Sequence, residues 1–271
     1  MEQEEIREEG AGAAGRGRRL SFSRNQLKML AIICILGDHV AALFLENADP
    51  RSIILRTFGR LTAPLMCFFL VEGFYHTRDR FAYGKRLCIF ALISQPAFAY
   101  ALGHPFWEQP YNVILTLFLS FLCMALLSSS LPQAKKDAGT FILLGASCFC
   151  DWALFGPLWV LGFFYYRKEK KKAIRSYCLV SFFMLALDIG YYVSKGLPWY
   201  EELWQAGVFL AIPLFFLYDP DKGNVQKLTL REKQNLPLGK RVYIAFFKWF
   251  FYCFYPLHLW ILGLIKHQVF G

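Results

Sequence analysis

Long runs of apolar residues, separated by short clusters of lysine and arginine, constrain the fold of this 271-residue chain most strongly. Several of these runs contain about 18 residues with almost no charge, the length that an α-helix needs to cross the hydrocarbon core of a bilayer. Apolar residues make up 56% of the chain, and a soluble domain of that composition would expose patches that aggregate. The sequence therefore predicts an all-α polytopic membrane protein.

The apolar runs predict about nine hydrophobic helices in a membrane domain that covers residues 26–271. Residues 1–25 are rich in glutamate, arginine, glycine and alanine, and they are expected to form a disordered tail because they offer little apolar surface to bury. The predicted helical segments are 27–45, 53–75, 87–102, 112–127, 173–193, 203–217 and 243–265, with two short helices within 140–166.

Basic and non-basic connections alternate along the predicted bundle. Five arginines precede the first helix. Further basic clusters lie at 78–86, 135–136, 167–172 and 222–241, whereas the connection at 103–111 contains neither lysine nor arginine. Because basic connections stay on the cytoplasmic side of a membrane, this alternation predicts a multi-pass protein of the cell membrane with a cytoplasmic N-terminus.

The apolar stretch 140–166 would break this alternation if it crossed the membrane once, because both of its flanks are basic. Two arms of about 13 residues each reach only about 20 Å, which is too short to span the hydrocarbon core. The stretch is therefore predicted to form a short re-entrant hairpin that turns at 150–157. Irregular backbone at membrane depth is tolerated where it lines a wet cavity or is buried in protein, so this turn is expected to line a site.

Ionisable and amide side chains inside the predicted helices carry the functional signal, because each costs free energy to insert and requires a partner or a role. In the predicted orientation, most of them fall toward the extracytoplasmic side and are expected to line one pocket. This group includes Asp38, His39, Arg56, Arg60, Gln95, Asn112, Asp151 and His258. Glu72 and His76 fall at the cytoplasmic end of the second helix instead. Asn112, at the start of a helix, is also a candidate N-cap.

Asp38 and His39 form the most informative pair in this group. A histidine beside a carboxylate in a poorly hydrated place has the composition of a general base. Neighbouring residues on an α-helix diverge by about 100°, so Asp38 need not contact His39 and is a candidate partner of Arg56 or Arg60. A structural salt bridge is the alternative interpretation of that pair, and a structural histidine is the alternative interpretation of His258.

Two sequence blocks, LKMLAIICILGDHV at 27–40 and LRTFGRLTAPLMCFFLVEGFYHT at 55–77, are the most specific ones in the chain. The blocks that follow them are ALISQPAF at 91–98, NVILTL at 112–117, DWALFG at 151–156 and FYPLHLWIL at 254–262. In this order, the blocks resemble the TraX family, the pilin acetylases of conjugal transfer. The resemblance extends from about residue 27 to the C-terminus. Family members usually carry carboxylates at the positions of Gln95 and Ala99.

The resemblance implies an acyltransferase that moves an acetyl group from acetyl-CoA to an extracytoplasmic amine or hydroxyl, on a pilin-like N-terminus or an envelope component. The chain is also similar to other transmembrane acyltransferases, in which a histidine near the end of the first helix, here His39, is taken as catalytic. Arg60, with Arg56, would stabilise the oxyanion or bind a CoA phosphate, and Asp38 or Asp151 would orient the imidazole. The residues expected to bind the donor or the acceptor are Arg56, Glu72, His76, Gln95, Asn112, Asp151 and His258.

A proton-coupled transporter of a small polar solute is the alternative function, because the same buried groups can move protons. Transporters often contain paired repeats with interrupted helices, whereas this sequence shows one interrupted hairpin. A non-catalytic scaffold is a third class, but it gives no reason for buried arginine and histidine. The eight cysteines lack a metal-ligand spacing, so no metal is expected, and the expected partners are the lipid bilayer and the acceptor rather than nucleic acid.

The alternation of basic connections makes a prediction about membrane topology. In a variant without the native cysteines, single cysteines at 105–109 and 196–201 should react with a membrane-impermeant maleimide added outside the cell, because these connections are expected to be extracytoplasmic. Cysteines at 168–172 and 222–235 should react only after the membrane is opened. Labelling of 168–172 from outside would show that the stretch 140–166 crosses the membrane once.

Overall fold

The computed structural model describes residues 20–222 and 236–270, and every regular element within them is a helix. In chain order these are α1 (Arg24–Phe44), α2 (Pro50–Gly59), α3 (Thr62–His76), α4 (Arg80–Leu102), α5 (Val113–Leu127), α6 (Gln133–Ser147), α7 (Phe155–Tyr165), α8 (Lys170–Ser194), a 3₁₀ helix (Trp199–Leu210), α9 (Ala211–Leu217) and α10 (Leu238–Phe270). Each predicted hydrophobic helix has a counterpart, so the prediction of an all-α polytopic membrane protein is confirmed.

Among these residues, four helical stretches are long and apolar enough to cross a membrane: α1, α2 together with α3, α8, and the Trp249–Phe270 part of α10. Large apolar side chains also cover the outside of the bundle. On α8, the side chains of Leu179, Phe182 and Phe183 are more than half exposed, while Tyr177 on another face of the same helix is buried. Soluble proteins rarely expose such a face, whereas a helix that contacts lipid does.

The helix α1 begins where the sequence supplies an N-cap. The side-chain oxygen of Ser23 accepts a hydrogen bond from the backbone N–H of Gln26, and the Gln26 side chain accepts one from the backbone N–H of Ser23, which completes a capping box. The predicted boundary between the tail and the membrane domain therefore falls inside the first turn of α1. Residues 1–19 of the predicted tail and residues 223–235 of the basic connection at 222–241 lie outside the described residues.

The predicted second helix, 53–75, is broken between α2 and α3. Pro64 explains the break, because its ring clashes with the carbonyl group of Arg60 and it has no N–H to donate to that group. Gly59, the last residue of α2, lies against α1 at a point where a Cβ atom would overlap the side chain of Asp38. Arg60 is the C-cap of α2 and lies one helical turn after Arg56, with both guanidinium groups over the ring of Trp204.

The predicted hairpin is present, but its limits differ from the prediction. The first arm, α6, begins at Gln133 rather than at residue 140, and the turn occupies residues 148–154 rather than 150–157. Pro157 does not interrupt α7, because it lies in the first helical turn, where the missing N–H has no helical partner to lose.

Both arms of the hairpin pack against α5. Gly139 of α6 lies against Leu126 of α5, and Gly156 of α7 lies against Thr116 of α5. A Cβ atom on either glycine would overlap the side chain that it faces. Small residues of this kind let membrane helices approach closely, so the two glycines set the distance between α5 and the arms.

Two further predicted helices differ in extent from the structure. The predicted helix 203–217 consists of the 3₁₀ helix followed by the short α9, and the predicted helix 243–265 is the longer α10, which continues through Pro256. Gly207 of the 3₁₀ helix lies against α2, where a Cβ atom would overlap the backbone of Thr57. The absence of a side chain at Gly207 therefore lets α2 and the 3₁₀ helix pack closely at this point.

Contacts between helix ends define the two ends of the bundle. At one end, Arg24 of α1 donates to the carbonyl oxygen of Phe69 in α3, and Arg167 after α7 lies 3.3 Å from Glu72 in α3. We call this the basic end. We call the other end the distal end. It contains the C-terminal ends of α1 and α4, the start of α5 and the turn 148–154.

The contact of Gly207 makes a prediction about stability. Gly207→Ala should lower the apparent melting temperature in detergent by several degrees, because the added Cβ atom meets backbone that cannot move aside, and overpacking typically costs about 1–3 kcal/mol. Gly190→Ala in α8 is the matched control, since no atom lies within 4 Å of its added Cβ atom, and it should leave the melting temperature unchanged or raised. Equal effects of the two substitutions would contradict this close approach.

Candidate functional site

A cavity of about 140 Å³ lies inside the bundle, between α1, α3, α4, α5, α10 and the turn 148–154. Lys28 and His39 of α1 both line it, so the cavity extends along that helix for about 16 Å at a rise of about 1.5 Å per residue. Its volume is sufficient for several water molecules. Its lining includes the polar, charged and amphipathic residues Lys28, Asp38, His39, Arg60, Thr62, Tyr83, Asp151, Trp152, Tyr252 and Tyr255.

Asp38 and Arg60 form an ion pair at the distal end of this cavity. Nη2 of Arg60 lies 2.8 and 2.7 Å from the two carboxylate oxygens of Asp38, and only 16% and 8% of the two side chains is exposed. The guanidinium group also lies 5.0 Å from the ring centre of Trp152 and 4.6 Å from that of Trp204, contacts that favour a cation. The sequence left Arg56 and Arg60 open as partners of Asp38, and the structure selects Arg60.

His39 and His258 are hydrogen-bonded to each other between α1 and α10. Nδ1 of His39 lies 2.7 Å from Nε2 of His258, and the two rings are nearly parallel, with 15° between their planes. The other ring nitrogen of His258, Nδ1, lies 2.8 Å from the carbonyl oxygen of Phe254, one helical turn earlier. The sequence placed both histidines toward the same end of the bundle, but it did not predict their contact.

The carbonyl oxygen of Phe254 determines which nitrogen of each neutral ring carries the proton. A carbonyl oxygen only accepts hydrogen bonds, so Nδ1 of His258 donates to it, and Nε2 of His258 is then an acceptor. His39 therefore donates from Nδ1, and its Nε2 keeps a free lone pair. Because His39 lines the cavity, the site contains an imidazole whose tautomer is fixed by a second histidine.

Asp151 reaches the cavity from the turn between α6 and α7. Backbone hydrogen bonds hold this turn: Tyr111 donates to Phe149 at 2.9 Å, and Asp151 donates to Tyr111 at 2.6 Å. The hydroxyl group of Thr116 donates to the Asp151 carbonyl oxygen. Trp152 follows with a φ of 63°, a left-handed conformation that is rare for a large side chain. The turn therefore brings a second carboxylate residue to the cavity.

Gln95 and Asn112, two predicted binding residues, do not line the cavity. The Asn112 side chain donates to Oε1 of Gln95 at 2.8 Å and accepts hydrogen bonds from the backbone N–H groups of Ile114 and Leu115. Asn112 is therefore the N-cap of α5, which was its alternative interpretation. The two residues lie outside the cavity because their side-chain amides hydrogen-bond to each other and the Asn112 side chain also caps α5.

Arg56, Glu72 and His76 also lie away from the cavity. Arg56 donates to the side-chain oxygen of Asn47 at 2.8 Å. Glu72 and His76 lie at the basic end, where Glu72 pairs with Arg167 at 3.3 Å and Nδ1 of His76 lies 2.7 Å from the backbone carbonyl oxygen of Glu72. Of the ten predicted site residues, the cavity brings together Asp38, His39, Arg60 and Asp151, with His258 directly behind His39.

Lys28, Trp152 and Tyr255 line the cavity but are absent from the predicted site. Lys28 lies within the apolar helix α1, and a lysine in such a helix is itself a functional signal in the sequence. The hydroxyl group of Tyr255 is buried and has no hydrogen-bond partner among the described residues. Within residues 20–222 and 236–270, no group of three or more histidine, cysteine or acidic side chains is placed to hold a metal ion.

The fold and the site define the class of this protein: a polytopic helical membrane protein whose internal cavity holds an Asp–Arg ion pair and two hydrogen-bonded histidines. The model of the family described as TraX protein matches residues 23–266. The chain therefore belongs to the TraX family, and the resemblance of its sequence blocks to that family is confirmed.

A curated relative shares almost the whole length of the chain. This protein of Dichelobacter nodosus is described as probable fimbrial assembly protein FimC, serogroup H1. It is 33% identical over 253 residues, which cover 90% of this chain and 96% of the relative. No solved structure matches the chain.

The ion pair makes a prediction about coupling between two residues. Asp38→Asn and Arg60→Met should each lower the free energy of unfolding by about 3 kcal/mol, because each leaves a buried polar or charged partner without its counter-ion. The free energy of unfolding of the double variant should fall by clearly less than the sum of the two single losses. A double-mutant cycle of unfolding in mixed micelles measures this difference.

The exposed pair between Arg51 and Asp49 supplies the control for this cycle. Arg51→Met should cost less than about 1 kcal/mol, because 77% of the Arg51 side chain is exposed and such pairs contribute little. Losses for Asp38→Asn and Arg60→Met that simply add in the double variant would show that the two buried groups are not coupled.

Proposed function

We propose that this protein is a membrane-embedded acetyltransferase, which moves an acetyl group from acetyl-CoA to an amine or hydroxyl group outside the cytoplasm. One observation carries the proposal: His39 lines the cavity and donates from Nδ1 to His258, so that its Nε2 is free to accept a proton. A neutral imidazole of fixed tautomer close to an arginine has the composition that acyl transfer with general-base catalysis requires.

The orientation of the proposed enzyme follows from its charges. The basic end of the bundle carries Arg24, Arg167 and Lys170, whereas the connection 103–111 at the distal end carries neither lysine nor arginine. By the positive-inside rule, the basic end faces the cytoplasm and the distal end faces the outside of the cell membrane. The donor then approaches from the basic end, and the acceptor reaches His39 from the distal end.

In the proposed reaction, the acceptor nitrogen or oxygen attacks the carbonyl carbon of the thioester. Nε2 of His39 takes the proton of the attacking group, and the carbonyl oxygen becomes an oxyanion. The C–S bond then breaks, the carbonyl group re-forms, and the departing sulfur takes the proton from Nε2. The acetyl group ends on the acceptor and His39 returns to its starting tautomer. Attack by Nε2 itself, with a transient acetyl-histidine, is the two-step alternative.

Arg60 is the group proposed to stabilise the oxyanion. Its Nη2 is engaged by Asp38, whereas its Nε is buried without a hydrogen-bond partner among the described residues. A permanent cation that is held in place before the reaction needs no reorganisation when negative charge develops on the substrate. Asp38 is then a positioning residue, because it holds Arg60 rather than the reacting atoms.

The proposed acceptor is a pilin-like N-terminus or a hydroxyl group of an envelope glycan. The relative that is described as a probable fimbrial assembly protein supports the pilin alternative. Asp151 lines the cavity, and its carboxylate would attract the ammonium form of a peptide N-terminus through a charge-assisted hydrogen bond and take the proton that the nitrogen must lose before its lone pair can attack. A glycan hydroxyl group carries no charge and would gain less from this residue.

Substitution of the two histidines tests the proposed chemistry. His39→Ala should lower the rate of acetyl transfer roughly 10²–10⁴-fold, the usual loss when a general base is removed. His258→Ala should also lower the rate, because the tautomer of His39 is no longer fixed. His258→Gln should restore part of it, because an amide oxygen can accept from Nδ1 of His39. The rates are measured by chromatography as CoA released by purified protein in lipid nanodiscs.

His104→Ala is the matched control, because His104 does not line the cavity and its ring bonds to the Pro105 carbonyl oxygen. It should keep the parental rate. A folded His39→Ala variant that retains most of the activity would exclude His39 as the base. If the parent transfers acetyl to no amine or hydroxyl but carries protons with a polar solute across liposomes, a transporter replaces the enzyme.

A further inference from the structure

Lys28 lies toward the basic end of the cavity. Among the described residues, its ammonium group makes no hydrogen bond and no ion pair, and it lies over the ring of Phe251, 4.7 Å from the ring centre. Lysines inside membrane helices normally pair with an acid or extend to the interface. Lys28 instead lines the same cavity as His39, so its charge faces a space that a ligand can fill.

Two arginine side chains lie near the basic end of the cavity. Arg24 lies one helical turn earlier on α1, and the guanidinium group of Arg86 lies 5.7 Å from the ring of a tyrosine that lines the cavity. Nε of Arg86 is buried without a hydrogen-bond partner among the described residues. The carboxylate residues that line the cavity, Asp38 and Asp151, lie toward its distal end. The basic end of the cavity is therefore suited to an anion.

The distance from Lys28 to His39 matches the length of one anionic ligand. Along α1 the two residues are separated by about 16 Å, at a rise of about 1.5 Å per residue. In CoA, about thirteen bonds connect the sulfur to the nearest phosphorus, and a chain that advances roughly 3.5 Å for every three bonds spans about 15 Å. A thioester of CoA with its phosphate at Lys28 therefore places its carbonyl carbon at His39.

We propose that Lys28 binds a phosphate group of the acetyl donor and thereby sets the position of the thioester at His39. This subsite rests on the proposed function and adds to it the recognition of the donor. A lysine ammonium group binds phosphate as a point charge, without the planar geometry that arginine imposes. The phosphate of an anionic lipid headgroup has the same chemistry, so the experiment has to separate the two sources.

The experiment compares two acetyl donors that differ in their phosphates. Acetyl-CoA carries phosphates, whereas S-acetylpantetheine has the same thioester and arm without them. The measured quantity is the ratio of kcat/KM for acetyl-CoA to kcat/KM for S-acetylpantetheine. Lys28→Met should lower this ratio about tenfold or more, because a charge-assisted hydrogen bond to phosphate is lost, and Lys28→Arg should restore part of it.

Lys85→Met is the matched control for this comparison. Lys85 is an exposed residue near the start of α4 at the basic end and does not line the cavity, so the substitution removes the same charge without touching the proposed subsite. The ratio of kcat/KM for acetyl-CoA to kcat/KM for S-acetylpantetheine should be the same in Lys85→Met as in the parent. A parent that does not prefer acetyl-CoA over S-acetylpantetheine, or a folded Lys28→Met variant with an unchanged ratio, would overturn the proposal.

Binding measurements distinguish failure of this subsite from failure of the proposed function. If the parent has no transfer activity but binds CoA more tightly than pantetheine, and Lys28→Met removes that difference, the subsite stands and the transferase proposal falls. If the parent binds CoA and pantetheine equally, the subsite falls. Nanodiscs with and without phosphatidylglycerol identify the phosphate source. Loss of bound phosphatidylglycerol in Lys28→Met with no change in CoA binding would assign Lys28 to lipid and overturn the proposal.

Discussion

The ion pair between Asp38 and Arg60 joins the two parts of the structure on which the rest depends, the first helix and the break between α2 and α3. A charge inside a membrane bundle has to be paired, and here the partner of Asp38 is the residue that caps the C-terminal end of α2. Pro64 interrupts the helix, and Gly59 leaves room for the Asp38 side chain. The same arrangement places a guanidinium group, held by two oxygens, on the wall of the cavity beside His39.

The second organising contact is the hydrogen bond between His39 and His258, which connects the first helix to the last. Through the carbonyl oxygen of Phe254, the last helix determines the tautomer of a residue that lines the cavity. The proposed chemistry needs both contacts: a base of fixed tautomer and a cation that is already in position. A hairpin turn that carries Asp151 and a lysine at the other end of the cavity complete a path that the proposed function assigns to acceptor and donor.

Much of this architecture could be predicted from the sequence, because apolar length and the positions of lysine and arginine determine how a chain crosses a membrane. The same rules indicated the hairpin and limited the partners of Asp38 to two arginines. The contact of His39 with His258 could not be predicted, because the two residues are 219 positions apart and their meeting depends on helix packing. Asn112 had two interpretations, a residue of the site or the N-cap of a helix, and the structure selects the N-cap.

The central claim is that His39 lines the cavity with an unprotonated Nε2 because His258 holds its Nδ1 proton. Solid-state ¹⁵N NMR of histidine-labelled protein in lipid measures this directly, with the signals assigned by the variants His39→Ala and His258→Ala. The account predicts that both rings are neutral and that both carry their proton on Nδ1, with the His39 spectrum changing when His258 is replaced. A His39 ring that carries its proton on Nε2, or that is unaffected by the loss of His258, would contradict it.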